Sequence, residues 1–367
     1  MNWLSDKAVD RLREEADLPD LCGSKYMVLH KLGSGGMGAV YLAQDTNLGR
    51  KVAVKVMNIA DSTGALASRM MREARIVALL EHPSIVPIHD VGLLEDGRVY
   101  YAMKLVQGKR LDEFAAGADS LSDLLRVFQK VCEAVAFAHA RGVIHRDLKP
   151  ENIMVGPFGE VLVMDWGVAK VLGDGPLDSR DRLKTDGIEL RAIDDTDLVT
   201  TLPRASSRES SETSSGMVIG TPAYMAPEQA MGKTELLDQR SDVYALGAVL
   251  YFLLAGRAPF ESTPMADALE EATRRRAPRP RQINSRVPKA IEAVCLKAMS
   301  EPRADRYASA EEVAADVVRF LDGQPVSAYR ENVFEKAGRW IGKNRFIVLL
   351  ILTYLMARLV VFFWMGR

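Results

Sequence analysis

The sequence has little that would favour a disulfide-stapled, secreted or nucleic-acid-binding protein. Its 367 residues include only three cysteines, none in CxxC spacing, so neither a disulfide framework nor a zinc site is indicated. The formal net charge of −1 lacks the basic excess of a general nucleic-acid binder. No basic start followed by an apolar run marks a secretory signal. We therefore expect a globular protein of a reducing compartment, with no nucleic-acid partner.

A cluster of polar residues stands near the middle of the chain, HRDLKPEN at 145–152 followed by MDWG at 164–167. Asp147 can accept a proton from a hydroxyl, and Lys149 can neutralise charge on a transferring phosphoryl group. Asn152 and Asp165 offer the oxygen ligands that suit Mg²⁺. This pattern indicates phosphoryl transfer, in which positioning and electrostatics supply most of the catalysis. Asp, Asn and Pro are also common in turns, so this segment could be a simple turn. Motifs in the rest of the chain distinguish the two interpretations.

A glycine-rich stretch, GSGGMG at 33–38, precedes a VAVK segment that ends at Lys55. Glycines let the backbone approach phosphate oxygens closely. The GxGxxG spacing alone fits a dinucleotide-binding oxidoreductase as well, but that fold needs a helix directly after the last glycine. Here β-branched and aromatic residues indicate a strand, and the oxidoreductase gives Lys55 no role. We therefore expect a β-hairpin whose glycine loop covers phosphates.

In this order and spacing, the motifs resemble those of the protein kinase family, most closely the bacterial, eukaryotic-like serine/threonine kinases. The resemblance extends from about residue 26 to about residue 326. It implies an α+β, bilobal kinase fold, with a small β-rich N-lobe that contains one helix and a larger helical C-lobe. Lys149 followed by Pro150 is typical of the Ser/Thr branch. Asp165-Trp166-Gly167 is a variant of the usual Asp-Phe-Gly that retains the metal ligand.

The resemblance also implies site residues. Asp147 and Lys149 are the expected catalytic residues, and Asn152 and Asp165 the expected ligands of Mg²⁺ or, alternatively, Mn²⁺. The expected ATP-binding residues come from the glycine loop, the strands beside it, the next helix and the hinge: Gly33, Ser34, Gly35, Gly36, Met37, Gly38, Val40, Ala53, Lys55, Glu73, Met103, Lys104 and Val106. Glu73 is the expected partner of Lys55, although without the family context it is a solvated helix charge.

Family roles are implied for residues outside the chemistry too. Glu228 of Ala226-Pro227-Glu228 is expected to pair with Arg306, because a buried carboxylate needs a partner. Asp242 is expected to accept backbone N–H groups of the 145–152 segment, and Thr221 to hydrogen-bond near Asp147 and Lys149.

A polar, hydroxyl-rich insertion occupies about 171–216, before Ala226-Pro227-Glu228. Its low hydrophobicity predicts disorder in at least its middle. A passive surface insertion would account for most of it. The sharper hypothesis is that hydroxyls near its C-terminal end are autophosphorylated and pair with Arg146.

We predict an N-terminal extension (1–25), an N-lobe (26–103), a hinge (104–108), a C-lobe (109–326), a basic juxtamembrane connector (327–345) and a transmembrane helix (346–365). About 20 apolar residues suffice to span a bilayer. An amphipathic or buried C-terminal helix is the alternative. Basic residues before the predicted span favour a single-pass cell-membrane protein with a cytoplasmic kinase domain.

The sequence thus predicts a serine/threonine kinase that transfers the ATP γ-phosphoryl group to proteins and acts in signalling at the membrane, with a homodimer for trans-autophosphorylation. The alternative from another class is a catalytically weak pseudokinase or membrane-anchored scaffold. Only Trp166 favours that alternative, because Lys55, Asp147 and Asp165 are all present.

Overall fold

The structure is a computed structural model that describes residues 18–21, 23–35, 38–57, 71, 74, 77–166, 170–171, 222–260, 277–333, 335–336, 338 and 344–365. Several predicted features lie outside these residues: Gly36, Met37, Glu73, Thr221 and nearly all of the 171–216 insertion.

The N-terminal lobe is a five-stranded antiparallel sheet in the order β1-β2-β3-β5-β4. Its strands are β1 (Tyr26–Gly35), β2 (Gly38–Asp45), β3 (Arg50–Met57), β4 (Ile88–Leu93) and β5 (Val99–Lys104). The predicted hairpin around the glycines is confirmed, with Gly35 opposite Gly38. Strand β5 continues through Lys104, which the sequence had assigned to the hinge.

The two faces of this sheet have different tasks, because successive strand residues point to opposite sides. One face buries Val52, Val54 and Ala102 in a small core with Tyr41. The other face of β3 and β5 carries Lys55, Tyr101 and Met103 towards the cleft below the sheet. Alternation therefore sends polar Lys55 to the site and its apolar neighbours to the core.

The C-terminal lobe is mainly helical. The described helices of the chain are α1 (Leu111–Ala116), α2 (Leu121–Ala140), α3 (Pro227–Ala230), α4 (Gln239–Ala255), α5 (Pro280–Ile283), α6 (Lys289–Ala298), α7 (Ala310–Leu321) and α8 (Arg345–Met365). The predicted helix over 121–141 is confirmed to within one residue. Ser120 caps α2 by accepting the Asp123 N–H at 3.1 Å. Helix α4 is buried on nearly every side, as expected of an apolar helix at the centre of a lobe.

Short strands connect the helical lobe to the cleft: β6 (Lys109–Arg110), β7 (Val143–Ile144), β8 (Ile153–Val155), β9 (Val161–Val163) and β10 (Lys170–Val171). They form a three-stranded sheet, β6-β8-β9, and a two-stranded sheet, β7-β10. The 145–152 segment lies between β7 and β8, and Asp165 follows β9. The bilobal architecture expected from the sequence is thus present.

The prediction of a transmembrane helix over 346–365 is wrong. Segment 345–365 is helical, but none of the helices in the described parts of the chain has the length and apolarity that a membrane span requires. Thr353 and Tyr354 interrupt its apolar surface, and Arg358 near its centre opposes insertion by about 2.5–3.5 kcal/mol.

Candidate active site

The segment 145–152, called the catalytic loop below, is held from behind by Asp242 of α4, which is 1% exposed. Asp242 accepts the backbone N–H of His145 at 2.7 Å and that of Arg146 at 2.9 Å. His139 Nε2 lies 2.8 Å from the same carboxylate. Burial alone would raise the pKa of Asp242, but the hydrogen bonds from His139 and His145 outweigh it and hold this pKa below its ordinary value. The predicted role of Asp242 is confirmed.

Arg146, directly before Asp147, has a left-handed backbone with φ of 69°. That conformation is unfavourable for a residue with a Cβ and persists only where its surroundings impose it. Its N–H is bound by Asp242, and its carbonyl accepts from Gln229 Nε2 at 2.6 Å. Contacts from α4 and α3 therefore fix the turn that leads into Asp147.

His145 connects the catalytic loop to the segment after β9. Its Nδ1 accepts the Asp147 N–H at 3.2 Å, and its Nε2 lies 3.0 Å from the Met164 carbonyl oxygen. These two contacts require the proton on Nε2 and a lone pair on Nδ1. The imidazole thus couples the backbones next to Asp147 and Asp165.

Asp147, Lys149 and Asn152 form one cluster, and Asn152 also lines the cavity between the lobes. Lys149 Nζ lies 2.8 Å from Asp147 Oδ2. Asn152 Nδ2 donates to the Asp147 carbonyl oxygen at 2.8 Å and to Oδ2 at 3.2 Å. The ammonium and the amide orient the Asp147 carboxylate, which is the group suited to receive a hydroxyl proton.

Lys55 from the N-lobe pairs directly with Asp165 of the C-lobe. Burial lowers the pKa of Lys55, but neighbouring Tyr101 and Asp165 more than offset this and hold it above its ordinary value. Asp165 itself has a left-handed backbone, with φ of 60°. The predicted partner Glu73 lies outside the described residues, so its pairing with Lys55 stays a prediction.

Trp166 is anchored rather than exposed. It is 3% exposed, its indole N–H donates to the Val163 carbonyl oxygen at 3.3 Å, and its ring centre lies 4.6 Å from that of His145. A phenylalanine could make the ring contact but not the hydrogen bond. The tryptophan therefore adds a polar anchor next to Asp165.

A cavity between the lobes brings together catalytic and apolar residues. It is lined by Val40, Lys55, Met57, Ala74, Val77, Val86, Ile88, Val99, Tyr101, Met103, Asn152, Met164, Asp165 and Trp166. Apolar walls with a few polar groups at one end are typical of a small-molecule site. This composition suits an aromatic base against the walls and charged groups towards Lys55 and Asp165.

Some of the predicted nucleotide-binding residues that the structure describes line the cavity, and others do not. Val40, Lys55 and Met103 line the cavity, whereas buried Ala53, exposed Lys104 and partly buried Val106 are not among the lining residues that the structure describes. Lys104 and Val106 were predicted to act through their backbones. Gly33, Ser34 and Gly35 lie at the end of β1 and are likewise not among the described lining residues.

Gly38 has a steric role that the motif alone does not reveal. A Cβ at this position would lie 2.3 Å from the Val56 carbonyl oxygen on β3. At Gly33, by contrast, no heavy atom of the described residues lies within 4 Å of such a Cβ. Gly38 therefore permits the β2–β3 pairing, whereas a Cβ at Gly33 would meet no atom of the described residues.

Sequence reasoning missed Tyr101 and the apolar residues at the rear of the cavity. Tyr101 and Met103 occupy alternate positions of β5 and therefore share a face. That alternation was the available signal for Tyr101. Met57 follows Lys55 by two residues on β3, so the same alternation applied to it. Val77 lies outside the sheet, and its place in the cavity lining depends on packing for which the sequence offered no comparable signal.

The predicted ion pair of Glu228 with Arg306 is present and buried, each residue being 4% exposed. Arg306 donates to both carboxylate oxygens, at 2.7 and 2.8 Å. Ser241 Oγ donates to Glu228 Oε1 at 2.8 Å. Burial would raise the pKa of Glu228, but Arg306 outweighs it and holds this pKa below its ordinary value. The bidentate pair ties α3 to the segment before α7.

Asn152 and Asp165 fit the coordination chemistry of Mg²⁺, because both line the same cavity and carry oxygen donors. The side-chain amide nitrogen of Asn152 donates to the Asp147 carbonyl oxygen. The amide oxygen of Asn152 is therefore the atom that could bind the metal. Among the described residues, no group of three or more His, Cys, Asp or Glu side chains is arranged for a metal. Mg²⁺ commonly uses one or two protein ligands, with waters and substrate phosphates completing its shell.

Comparisons with known proteins agree with this geometry. A family model described as "Protein kinase domain" matches residues 26–185 and 201–316. The chain is 32% identical to serine/threonine-protein kinase PknD of Protochlamydia amoebophila, covering 82% of this chain and 30% of that protein. It is 36% identical to serine/threonine-protein kinase pkn3 of Myxococcus xanthus, covering 80% of this chain and 49% of that protein.

The chain thus spans less than half the length of these two relatives. Among solved structures, the kinase domain of Mycobacterium tuberculosis PknI matches with a TM-score of 0.56 and 24% identity, covering 81% of this chain and 96% of that one. At this identity the match shows the shared fold.

Proposed function

Because this chain belongs to the protein kinase family, we propose that it is a serine/threonine protein kinase that transfers the γ-phosphoryl group of ATP to Ser and Thr hydroxyls of proteins. The observation that carries the proposal is the convergence of the Asp147 cluster with Lys55 and Asp165 at one cleft. Lys149 and the names of the relatives support the Ser/Thr class.

Asp147 orients the acceptor hydroxyl and takes its proton as the phosphoryl group leaves ATP. Lys149, 2.8 Å from that carboxylate, supplies positive charge beside the transferring group. The hydrogen bonds from Asn152 keep the carboxylate in one orientation before substrate arrives.

The nucleotide occupies the cavity, with adenine between apolar residues such as Val40 and Met164 and the phosphates towards Lys55. Asn152 and Asp165 would hold Mg²⁺, or Mn²⁺ as an alternative. The metal, when bound, supplies charge neutralisation for the phosphates. Lys55 is buried and charged, so it can grip phosphate oxygens once they displace its contact with Asp165.

The proposal extends to regulation of the kinase through Arg146 of the catalytic loop. Phosphorylation in the 171–216 insertion, carried out in trans within a homodimer, would create an anion for Arg146. Mass spectrometry after incubation with MgATP tests this step. An active preparation whose 198–217 peptide stays unmodified would contradict it.

The transferase proposal is tested with radiolabelled ATP and a general protein acceptor. Asp147→Ala should lower the transfer rate by about 10²–10⁴-fold with an unchanged fold by circular dichroism, because proton acceptance is lost. Lys55→Ala should abolish transfer while leaving the fold intact, because the phosphates then lose their buried cation. Asp96→Ala is the matched control. Asp96 lies in an exposed turn, where its carboxylate binds Arg98, and this variant should retain full activity.

Full activity of the Asp147→Ala protein would refute the mechanism. A wild-type protein that binds ATP but transfers nothing would instead favour the weak pseudokinase or scaffold.

A further inference from the structure

Tyr101 and Lys55 are directly opposed across the antiparallel pair of β3 and β5. Opposed residues in such a pair project from the same face, with their Cβ atoms about 5 Å apart. Both side chains line the cavity between the lobes. Tyr101 is therefore a neighbour of the phosphate-binding lysine by construction of the sheet.

The ring of Tyr101 is fixed by packing at the rear of the cavity. It contacts the small apolar cluster of Met57 and Val99, which Met71 also joins. Lys55 Nζ lies 6.0 Å from the ring centre, at the outer limit of a cation–π contact. Lys55 thus lies between a fixed aromatic ring and the Asp165 carboxylate.

An ammonium group has three donors and is costly to bury without partners. Lys55 is 7% exposed, and Asp165 satisfies only part of its capacity. Burial raises the pKa of Tyr101 to about 12, so its hydroxyl stays a neutral phenol that can accept from an ammonium. Among the described residues, Tyr101 on β5 and Asp165 after β9 are the titratable groups that face Lys55.

We propose that Tyr101 is a positioning residue for phosphoryl transfer, whose hydroxyl holds the Lys55 ammonium in place when ATP phosphates displace Asp165 from it. The proposal rests on the function proposed above for Lys55. Asp165 would then be available as the metal ligand proposed above, while the Tyr101 hydroxyl and the phosphates satisfy the buried lysine. A purely structural Tyr101 would need only its ring.

The variant that separates these roles is Tyr101→Phe, which keeps the ring and removes the hydroxyl. Tyr100→Phe is the matched control, because Tyr100 is the preceding residue of β5 and packs in the core on the other face, next to Tyr26. We expect Tyr101→Phe to lower kcat/KM for ATP about 5–10-fold, the order of one typical net hydrogen bond. Tyr100→Phe should leave kcat/KM unchanged.

A second measurement reads the contact without requiring transfer. An adenosine reagent with a sulfonyl fluoride group sulfonylates Lys55 only when the amine is neutral: the amine nitrogen bonds to sulfur, fluoride leaves and a proton is released. The labelling rate against pH therefore follows the lysine pKa. Removal of the hydroxyl lowers that pKa, and labelling of Tyr101→Phe at a fixed pH below it should be about 3–10-fold faster than in the wild type. Activity and labelling should therefore change in opposite directions.

Unchanged kcat/KM and labelling in Tyr101→Phe would overturn the proposal. A loss of activity with the wild-type labelling profile would also overturn it, since that result indicates a structural role. Failure of the function itself is distinguishable: a wild type that transfers no phosphoryl group could still show the labelling shift, because labelling requires binding of the adenosine reagent and a reactive lysine but no transfer.

Discussion

The C-terminal lobe contains two buried carboxylates, Glu228 and Asp242, and different partners offset the cost of burying each charge. Glu228 faces one guanidinium, that of Arg306, which binds both of its oxygens. Asp242 faces His139 and two backbone N–H groups of the catalytic loop. The ion pair therefore places most of the charge compensation in one guanidinium, with one further hydrogen bond from Ser241. Asp242 distributes its contacts, and two of them fix the backbone that leads to Asp147.

The two systems meet on the first turn of α4, because Ser241 donates to Glu228 and the next residue is Asp242 itself. Their removal should nevertheless have different consequences. Loss of the Glu228 pair should mainly reduce stability, whereas loss of Asp242 contacts should also reduce catalysis.

The largest expected effect is on stability, from Arg306→Ala. This change leaves the Glu228 charge buried without its partner and should lower the free energy of unfolding by about 3–5 kcal/mol. Urea denaturation followed by circular dichroism measures it. The double variant Glu228→Gln/Arg306→Met removes both charges and should recover part of the loss. A decrease below about 1 kcal/mol in the single variant would refute this view of the ion pair.

The next effect distinguishes stability from catalysis. Asp242→Asn keeps one acceptor oxygen but turns an amide towards the remaining N–H donors, which should cost about 1–3 kcal/mol. Displacement of the catalytic loop should lower kcat about 10–100-fold in the radiolabelled-ATP assay.

Asp316→Asn is the matched control. Asp316 is a fully buried carboxylate that binds Tyr307 and Ser327 instead of the catalytic loop. It should lose similar stability yet keep kcat. Equal losses of kcat in the two variants would remove the distinction between the carboxylates.

The smallest expected effect is the pH dependence of Glu228. Its folded-state pKa lies below the ordinary value of 4.5, so its stabilisation is fully present above that value. It is lost as the pH falls through the lowered pKa of the folded state. Below pH 4.5, the unfolding free energy of Glu228→Gln/Arg306→Met should therefore decline less steeply than that of the wild type. Parallel curves from denaturation at several acidic pH values would show that Glu228 does not contribute to acid unfolding.

Much of the fold and site could be predicted because local patterns carried the information. Alternating β-branched residues around Gly33 and Gly38 predicted the hairpin, and apolar periodicity predicted α2. The Glu228–Arg306 pair, although 78 residues apart, was predictable from family motifs. The proposed catalytic roles of Asp147 and Lys149 remain predictions that the experiments above test.

Other features depended on long-range packing. Tyr101 became part of the site only through the register of β3 against β5. The sequence did not indicate what Trp166 does in place of the usual phenylalanine. In the structure its indole N–H donates to the Val163 carbonyl oxygen. The C-terminal segment was predicted to span a membrane from its apolar content, and this was wrong.

The sequence by itself determined the chemistry available: which carboxylates, amines and glycines exist, in which order, and on which kind of element. Residue type and short-range periodicity suffice for that, because they act within a few residues of the chain. Only the tertiary structure decided the partners. Lys55 meets Asp165 across 110 residues, and His145 joins the backbones of Asp147 and Met164. The first contact depends on how the two lobes pack and the contact with Met164 on packing within the C-lobe, and packing is a property of the whole fold rather than of any one segment.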